Sequence, residues 1–192
     1  MRLETERLFI EPFTLNDIHK VAELANNQEI ASILGLPHPY ESRIAQEWIQ
    51  GHQQRIEGGT EFPLRIVLKE SNEIIGTITL RVDKANNRGE LGYWMGRDFW
   101  GRGYASDAAL RLVDFGFREL GLNRIWATAI TRNKSSIRVL EKAGLRHEGI
   151  LIQNRLLADT YEDVAVFGLV KSDYLDGPER YDLSVLYNTR ES

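Results

Sequence analysis

Between Phe62 and Ile130 the spacing of apolar residues changes period twice, and that order admits few folds. Phe62–Leu68, Ile74–Val82 and Glu90–Met95 carry β-branched and aromatic residues at strand spacing. Lys69–Glu73 and the polar turn Asp83–Gly89 join them at hairpin length. After the loop Gly96–Gly103 the period becomes helical from Tyr104 to Leu120, with Ala105, Ala108, Ala109, Leu112, Val113 and Gly116 on the inner face. Gly121 stands where a helix C-terminus favours a left-handed residue. Ile125–Ile130 returns to strand. A meander of three strands followed by strand–helix–strand units predicts a mixed α/β sheet covered by helices.

The flanks add to this frame. Leu8–Phe13 reads as a first strand, with Pro12 marking an edge or an end. Thr14 and Asp17 are placed to cap a helix over Leu15–Asn26. Two prolines make Leu34–Tyr40 a loop, and Ser42 starts a second helix that ends near Gly58-Gly59. Beyond Ile130, Lys134–Ala143 is helical and stops at Gly144, and strands are expected at Arg146–Ile152 and Asp163–Val170. Lys171–Ser192 is of mixed polarity and is broken by Gly177-Pro178. The expectation is one domain over residues 1–172 and a tail over 173–192.

Composition narrows function. A chain of 192 residues without cysteine has no disulfide framework, thiolate metal site or cysteine nucleophile. His19, His38, His52 and His147 are scattered without metal-ligand spacing, so no metal is expected. The net charge of −4 weighs against nucleic acid as a partner. No apolar run approaches the roughly 18 residues of a membrane span, and the start lacks a signal-peptide core. The expectation is a cytoplasmic protein without membrane partners.

The segment Glu90–Ala108 is the most informative about ligands. A strand passes through Trp100-Gly101-Arg102-Gly103 into the long helix. The first turn of a helix exposes unpaired N–H groups and the positive end of its dipole, and glycine lets an anion approach the backbone. A phosphate or pyrophosphate is the natural guest, with Arg102 as an added contact. The alternative is a glycine connection that only turns the chain. The Rossmann pattern would need glycine at Ser106, and a P-loop would need Gly-Lys-Ser/Thr; neither is present.

Trp100-Gly101-Arg102-Gly103-Tyr104-Ala105 resembles the coenzyme-binding motif of GNAT acetyltransferases. The first position holds Trp rather than the common Arg or Gln, as in the branch similar to the ribosomal-protein N-terminal acetyltransferases RimJ and RimL. Glu4-Thr5-Glu6-Arg7-Leu8, Glu90-Leu91-Gly92-Tyr93-Trp94, Asn133-x-x-Ser136 and Glu141-Lys142-Ala143-Gly144-Leu145 agree with that branch. The resemblance implies a single GNAT-like domain with a mostly antiparallel sheet of about seven strands, splayed at its centre and flanked by helices. It also implies acetyl-coenzyme A as cosubstrate. The N–H groups of Gly101, Arg102, Gly103, Tyr104, Ala105 and Ser106 would hold the pyrophosphate, and Met95 and Arg97 would lie beside the pantetheine arm. The amide near Met95 would polarise the thioester carbonyl.

Amine acetylation needs a base, and a carboxylate acting directly or through water can serve. Glu90 is the first choice from the resemblance, and strand alternation puts it on one face with Gly92 and Trp94, opposite Leu91, Tyr93 and Met95. A solvated strand-end carboxylate is the plain alternative, and Glu162 and Asp163 are the alternative bases. Many relatives protonate the leaving thiolate with a tyrosine where this chain has Leu140. Ser136 is then the group expected to hydrogen-bond the sulfur. Asn133 suits the N-cap of the helix from Lys134 and, by resemblance, a contact with the coenzyme arm.

Without cysteine, direct transfer in a ternary complex is expected rather than an acyl-enzyme route. The acceptor is a primary amine, either a protein N-terminus or a small molecule. Asn26–Gly59, including Trp48, and the loop Gln153–Thr160 are expected to shape its site. A non-catalytic acyl-coenzyme A sensor is the rival reading. Dimerisation is common in the family, so a homodimer is a further expectation.

Overall fold

A computed structural model describes residues 1–175. Strands β1 (Leu3–Glu4), β2 (Leu8–Pro12), β3 (Glu61–Leu68), β4 (Glu73–Asp83), β5 (Arg88–Met95), β6 (Arg124–Ile130), β7 (Arg146–Leu157) and β8 (Thr160–Val170) form one sheet. Their order is β1-β2-β3-β4-β5-β6-β8-β7. All neighbours are antiparallel except β5 and β6, which the crossover helix makes parallel. The mixed sheet is as expected, with eight strands against about seven. The added β1 is two residues long, too short to show any period in sequence.

One face of the sheet packs Leu64, Ile66, Ile78, Leu80 and Ile125, all fully buried, against α5 (Tyr104–Asp114) and α6 (Lys134–Lys142). Each such side chain contributes about 1.5–3 kcal/mol on burial. Helix α5 runs on through a π turn at Phe115–Glu119, where the wider turn lets both Phe115 and Phe117 enter the core. The opposite face carries a smaller cluster of Phe13, Val21, Ala45 and Ile49, with Trp48 and Trp94 packed on it. Helices α1 (Ile18–Ala25) and α3 (Ser42–Ile49) supply its helical residues, and α2 (Gln28–Leu34) and α4 (His52–Glu57) complete the helices that precede β3.

Several boundaries differ from the sequence reading. The helix expected over Leu15–Asn26 opens as a 3-10 turn, Leu15–Asp17, with Asp17 accepting the Thr14 N–H at 2.7 Å. The helix expected from Ser42 to Gly58 is two helices, because Gly51 takes the left-handed φ of +81° between α3 and α4. Helix α2 was not expected; Asn27 caps it by accepting from Glu29 and Ile30. The expected loop Gln153–Thr160 is almost wholly strand. Ala158 and Asp159 turn the chain with φ of +43° and +64°, the two-residue hairpin type, so β7 and β8 extend to the turn. Lys171–Leu175 forms α7, which buries Tyr174 against Phe117 with ring centroids 4.8 Å apart. The Gly177-Pro178 break and the rest of the expected tail lie outside the described residues.

Candidate active site

Strands β5 and β6 pair only through Arg88↔Arg124, Gly89↔Ile125 and Glu90↔Trp126. Beyond Glu90, β5 stays with β4 as far as Met95, and β6 stays with β8 as far as Ile130. The two central strands therefore part, and a wedge opens from Glu90 toward the loop before α5. The Gly96 N–H is turned to Ile75 of β4, at 2.9 Å, so alternation along the strand turns the Met95 N–H to the wedge. The Met95 carbonyl accepts the Trp100 indole N–H at 2.8 Å, which ties the end of β5 to the glycine loop.

At the far end of the wedge, Gly101 and Gly103 take left-handed φ values of +74° and +83°. Gly103 is the N-cap of α5, and its carbonyl accepts the N–H groups of Ser106 and Asp107 at 3.0 and 3.1 Å. Ser106 is thereby taken up in the helix. The N–H groups of Gly101, Arg102, Gly103, Tyr104 and Ala105 meet no protein acceptor among the described residues. A Cβ added to Gly101 would meet nothing within 4 Å, so the loop is open as well as rich in donors. Acceptor-free donors beside open space at a helix N-terminus fit an anionic group such as a diphosphate. Arg102 is exposed and its side chain makes no ion pair among the described residues. Arg97 is engaged: it pairs with Glu29 of α2 and lies 4.7 Å over the Trp100 ring.

The flank of the wedge next to α6 holds the other polar groups. Asn133 caps α6, its Oδ1 accepting from the Ser136 N–H at 3.1 Å and the Ser135 hydroxyl at 2.8 Å. Its side-chain NH2 has no protein acceptor among the described residues, so capping leaves a donor over. Ser136 meets the Tyr93 hydroxyl, which lies 2.9 Å from both its Oγ and its carbonyl oxygen. Burial pushes the Tyr93 hydroxyl up to about 12, against which the Ser136 contact acts weakly. Leu140, where the resemblance would place a tyrosine, is 1% exposed and belongs to the core.

Glu90 lies on the other face of β5, as the alternation predicts: Leu91, Tyr93 and Met95 join the core of α5 and α6, whereas Trp94 joins that of α1 and α3. The Glu90 side chain is 34% exposed, with Arg81 at 3.9 Å as its nearest cation. Arg81 is more closely held by Glu61, at 2.9 Å, and so neutralises Glu90 only in part. With Arg81, Asp83, Arg88 and Trp126, Glu90 lines an open pocket over the paired ends of β4, β5 and β6, behind the point where the wedge begins. The alternative carboxylates are committed elsewhere. Asp163 accepts the Gln153 N–H at 2.8 Å, pinning a residue of β7 at φ +49°, and Glu162 pairs with Arg132 at 2.6 Å.

The Glu90 carboxylate and the Tyr93 hydroxyl thus stand on opposite faces of one strand at the edge of one gap. Sequence reasoning did not single out Tyr93 or the side chain of Arg7, which reaches the glycine loop through Asp107 at 2.7 Å and the Arg102 carbonyl at 3.0 Å. For Tyr93 a signal was present, since a phenol among Leu91 and Met95 needs a partner when buried. Among the described residues no three His, Asp or Glu side chains come together as a metal site would require.

Residues 7–146 match the family described as Acetyltransferase (GNAT) domain. The uncharacterized N-acetyltransferase p20 of Bacillus licheniformis is 32% identical over 173 residues, 90% of this chain and 97% of that protein. The ribosomal-protein-S5-alanine acetyltransferase of Vibrio fischeri is similar in fold, with a TM-score of 0.80 at 21% identity over 91% of this chain and 98% of that one. So is the spermidine N-acetyltransferase of Vibrio cholerae in complex with CoA and spermine, with a TM-score of 0.76 at 22% identity over 88% and 98% of the two chains.

Proposed function

This chain belongs to the GNAT acetyltransferase family, and from that premise we propose that it moves the acetyl group of acetyl-coenzyme A directly onto a primary amine held beside Glu90. The observation that carries the reading is the wedge that opens beyond Glu90↔Trp126 and leads to the acceptor-free N–H groups of Gly101 through Ala105. Those amides, with Arg102, would take the diphosphate. Met95 and the residues lining the wedge would flank the pantetheine, and the spare donor of Asn133 would reach its amides. When bound, acetyl-coenzyme A supplies an activated thioester carbonyl.

The chain's own groups then divide the work. Glu90, directly or through one water, takes the proton that the amine loses as its nitrogen bonds to the carbonyl carbon. The Met95 N–H, turned to the wedge, stabilises charge on the carbonyl oxygen. As the carbon–sulfur bond breaks, the Ser136 hydroxyl donates to the departing thiolate. With no cysteine in the chain, no thioester forms on the protein by that route.

Relatives in fold act, by their names, on a ribosomal protein and on spermidine. The acceptor class is accordingly framed as a peptide N-terminus or a small polyamine-like molecule. An assay of coenzyme A release with acetyl-coenzyme A and panels of N-terminal peptides and small amines tests the proposal. Turnover with one panel assigns the class. Tight coenzyme uptake without turnover on either panel would make the chain an acyl-coenzyme A sensor instead, and absence of uptake would remove the coenzyme site.

A further inference from the structure

The motif Glu4-Thr5-Glu6-Arg7-Leu8 lies about a hundred residues before the glycine loop and has no part in the chemistry above. The structure shows where it leads. Thr5 is buried between β1 and β2, and its Oγ1 accepts the N–H groups of Arg7 and Leu8 at 3.3 and 3.0 Å. The Arg7 carbonyl accepts the Lys69 N–H at 2.9 Å. The backbone of Arg7 is thus held from both sides, and its side chain projects to the start of α5. There Nη1 donates to the Arg102 carbonyl at 3.0 Å, while Nε and Nη2 donate to Asp107 Oδ2 at 2.9 and 2.7 Å. The guanidinium carbon lies 4.7 Å from the Tyr104 ring centroid, and Nη2 would be 3.1 Å from a Cβ on Gly103.

One side chain therefore gathers Arg102, Gly103, Tyr104 and Asp107, the same residues that form the donor-rich loop. Two consequences follow. The Arg102 carbonyl, a partial negative charge, is fixed toward Arg7, so the peptide plane it shares with the Gly103 N–H is fixed with it. Asp107, in the first turn of α5, is a full negative charge close to where an anion would sit, and Arg7 neutralises it. As a mere surface ion pair, with Arg7 41% exposed, the contact would matter little to stability.

We infer that Arg7 is a positioning residue of the coenzyme site: it orients the Gly101–Gly103 turn and cancels the charge of Asp107, so that the cradle accepts a diphosphate. This rests on the coenzyme site proposed above. A structural ion pair and an electrostatic role make different predictions for Asp107. If Arg7 serves the diphosphate, Arg7→Ala leaves a bare carboxylate at the site, and removing that charge should repair the damage.

The test is calorimetric titration of the full chain with coenzyme A, using wild type, Arg7→Ala and the double variant Arg7→Ala/Asp107→Asn, with thermal unfolding of each in parallel. The single variant should bind about tenfold or more weakly, roughly the effect of losing one charge-assisted contact. The double variant should recover most of the loss, and the defect should shrink as salt is raised. Undiminished binding by Arg7→Ala, or a loss that Asp107→Asn does not recover, would overturn the role of Arg7. A wild type that takes up no coenzyme A would instead defeat the coenzyme reading itself.

Discussion

The Tyr93 hydroxyl on β5 stands 2.9 Å from both the Oγ and the main-chain oxygen of Ser136 on α6. A phenol has one proton, and the carbonyl can only accept, so Tyr93 donates to the carbonyl and the Ser136 hydroxyl donates to Tyr93. Ser136 is thereby held in one rotamer at the edge of the wedge. To serve a leaving thiolate it exchanges one acceptor for another, which is a rotation and needs no change of place.

That relationship predicts unequal effects at the two residues. Ser136→Ala should lower kcat about 10²-fold, the scale for removing one donor from a developing anion. Tyr93→Phe removes both hydrogen bonds to Ser136, of which the one from Oγ orients the serine and is worth about 1 kcal/mol, and should lower kcat about five- to tenfold. Coenzyme affinity should hold in both. Steady-state kinetics with calorimetry reads this out, and equal losses in the two variants would sink the ordering.

Glu90→Gln should lower kcat by about 10²–10³-fold while leaving coenzyme A binding unchanged, because the side chain lies on the face of β5 turned away from α5 and Tyr93. Turnover with a weakly basic amine, deprotonated at the assay pH, should suffer less than turnover with a strongly basic one. A variant as active as wild type would show that Glu90 is only a solvated carboxylate.

Gly101 and Gly121 make a matched pair. Both have left-handed φ, +74° and +68°, and a Cβ on either would meet nothing within 4 Å. Alanine at either position should cost about 1–2 kcal/mol of backbone strain. Gly101→Ala alone should also weaken coenzyme A binding, by about tenfold, because its methyl group enters the donor-rich loop. Melting curves and calorimetry separate the two effects; equal coenzyme affinities in the two variants would argue against the cradle.

His52 supplies a pH prediction away from the chemistry. It is 2% exposed, and the rings of Trp48 and Phe13 stand edge-on to it at 4.6 and 5.5 Å. Burial, reinforced by Arg55 and opposed by Glu61, lowers its pKa from 6.5 to about 4. The unfolded chain therefore takes up the proton first. The stability tied to neutral His52 is complete above about pH 6.5 and is lost as the pH falls toward 4, by about 3 kcal/mol in all. Urea unfolding at pH 7 and pH 4.5 should show His52→Phe losing about 2 kcal/mol less than wild type between the two conditions. Parallel losses in both proteins would contradict this.

Much of the candidate site was legible in the chain because it is local. The sequence Trp100-Gly101-Arg102-Gly103-Tyr104-Ala105 holds its own donors, left-handed glycines and helix start within a few residues, and period-2 alternation alone put Glu90 opposite Tyr93. The second helical segment was misjudged for a local reason too: Gly51 has apolar spacing on both sides, and only its positive φ reveals a break. Arg7 and Asp107 could not be joined by reading, since 100 residues separate them and the motif around Arg7 does not say what its side chain meets.

The amino-acid order by itself determined seven of the strands, the long helix and α6, where the glycine turn opens, and that no cysteine takes part. Those properties depend on spacing, backbone freedom and residue chemistry, which act over a few neighbours. Tertiary structure alone decided that β5 leaves β6 after Glu90, that Ser136 meets Tyr93, and that Arg7 closes on Asp107. Such relationships arise only when a twisted sheet and its covering helices find a common packing, and no short stretch of chain contains that geometry.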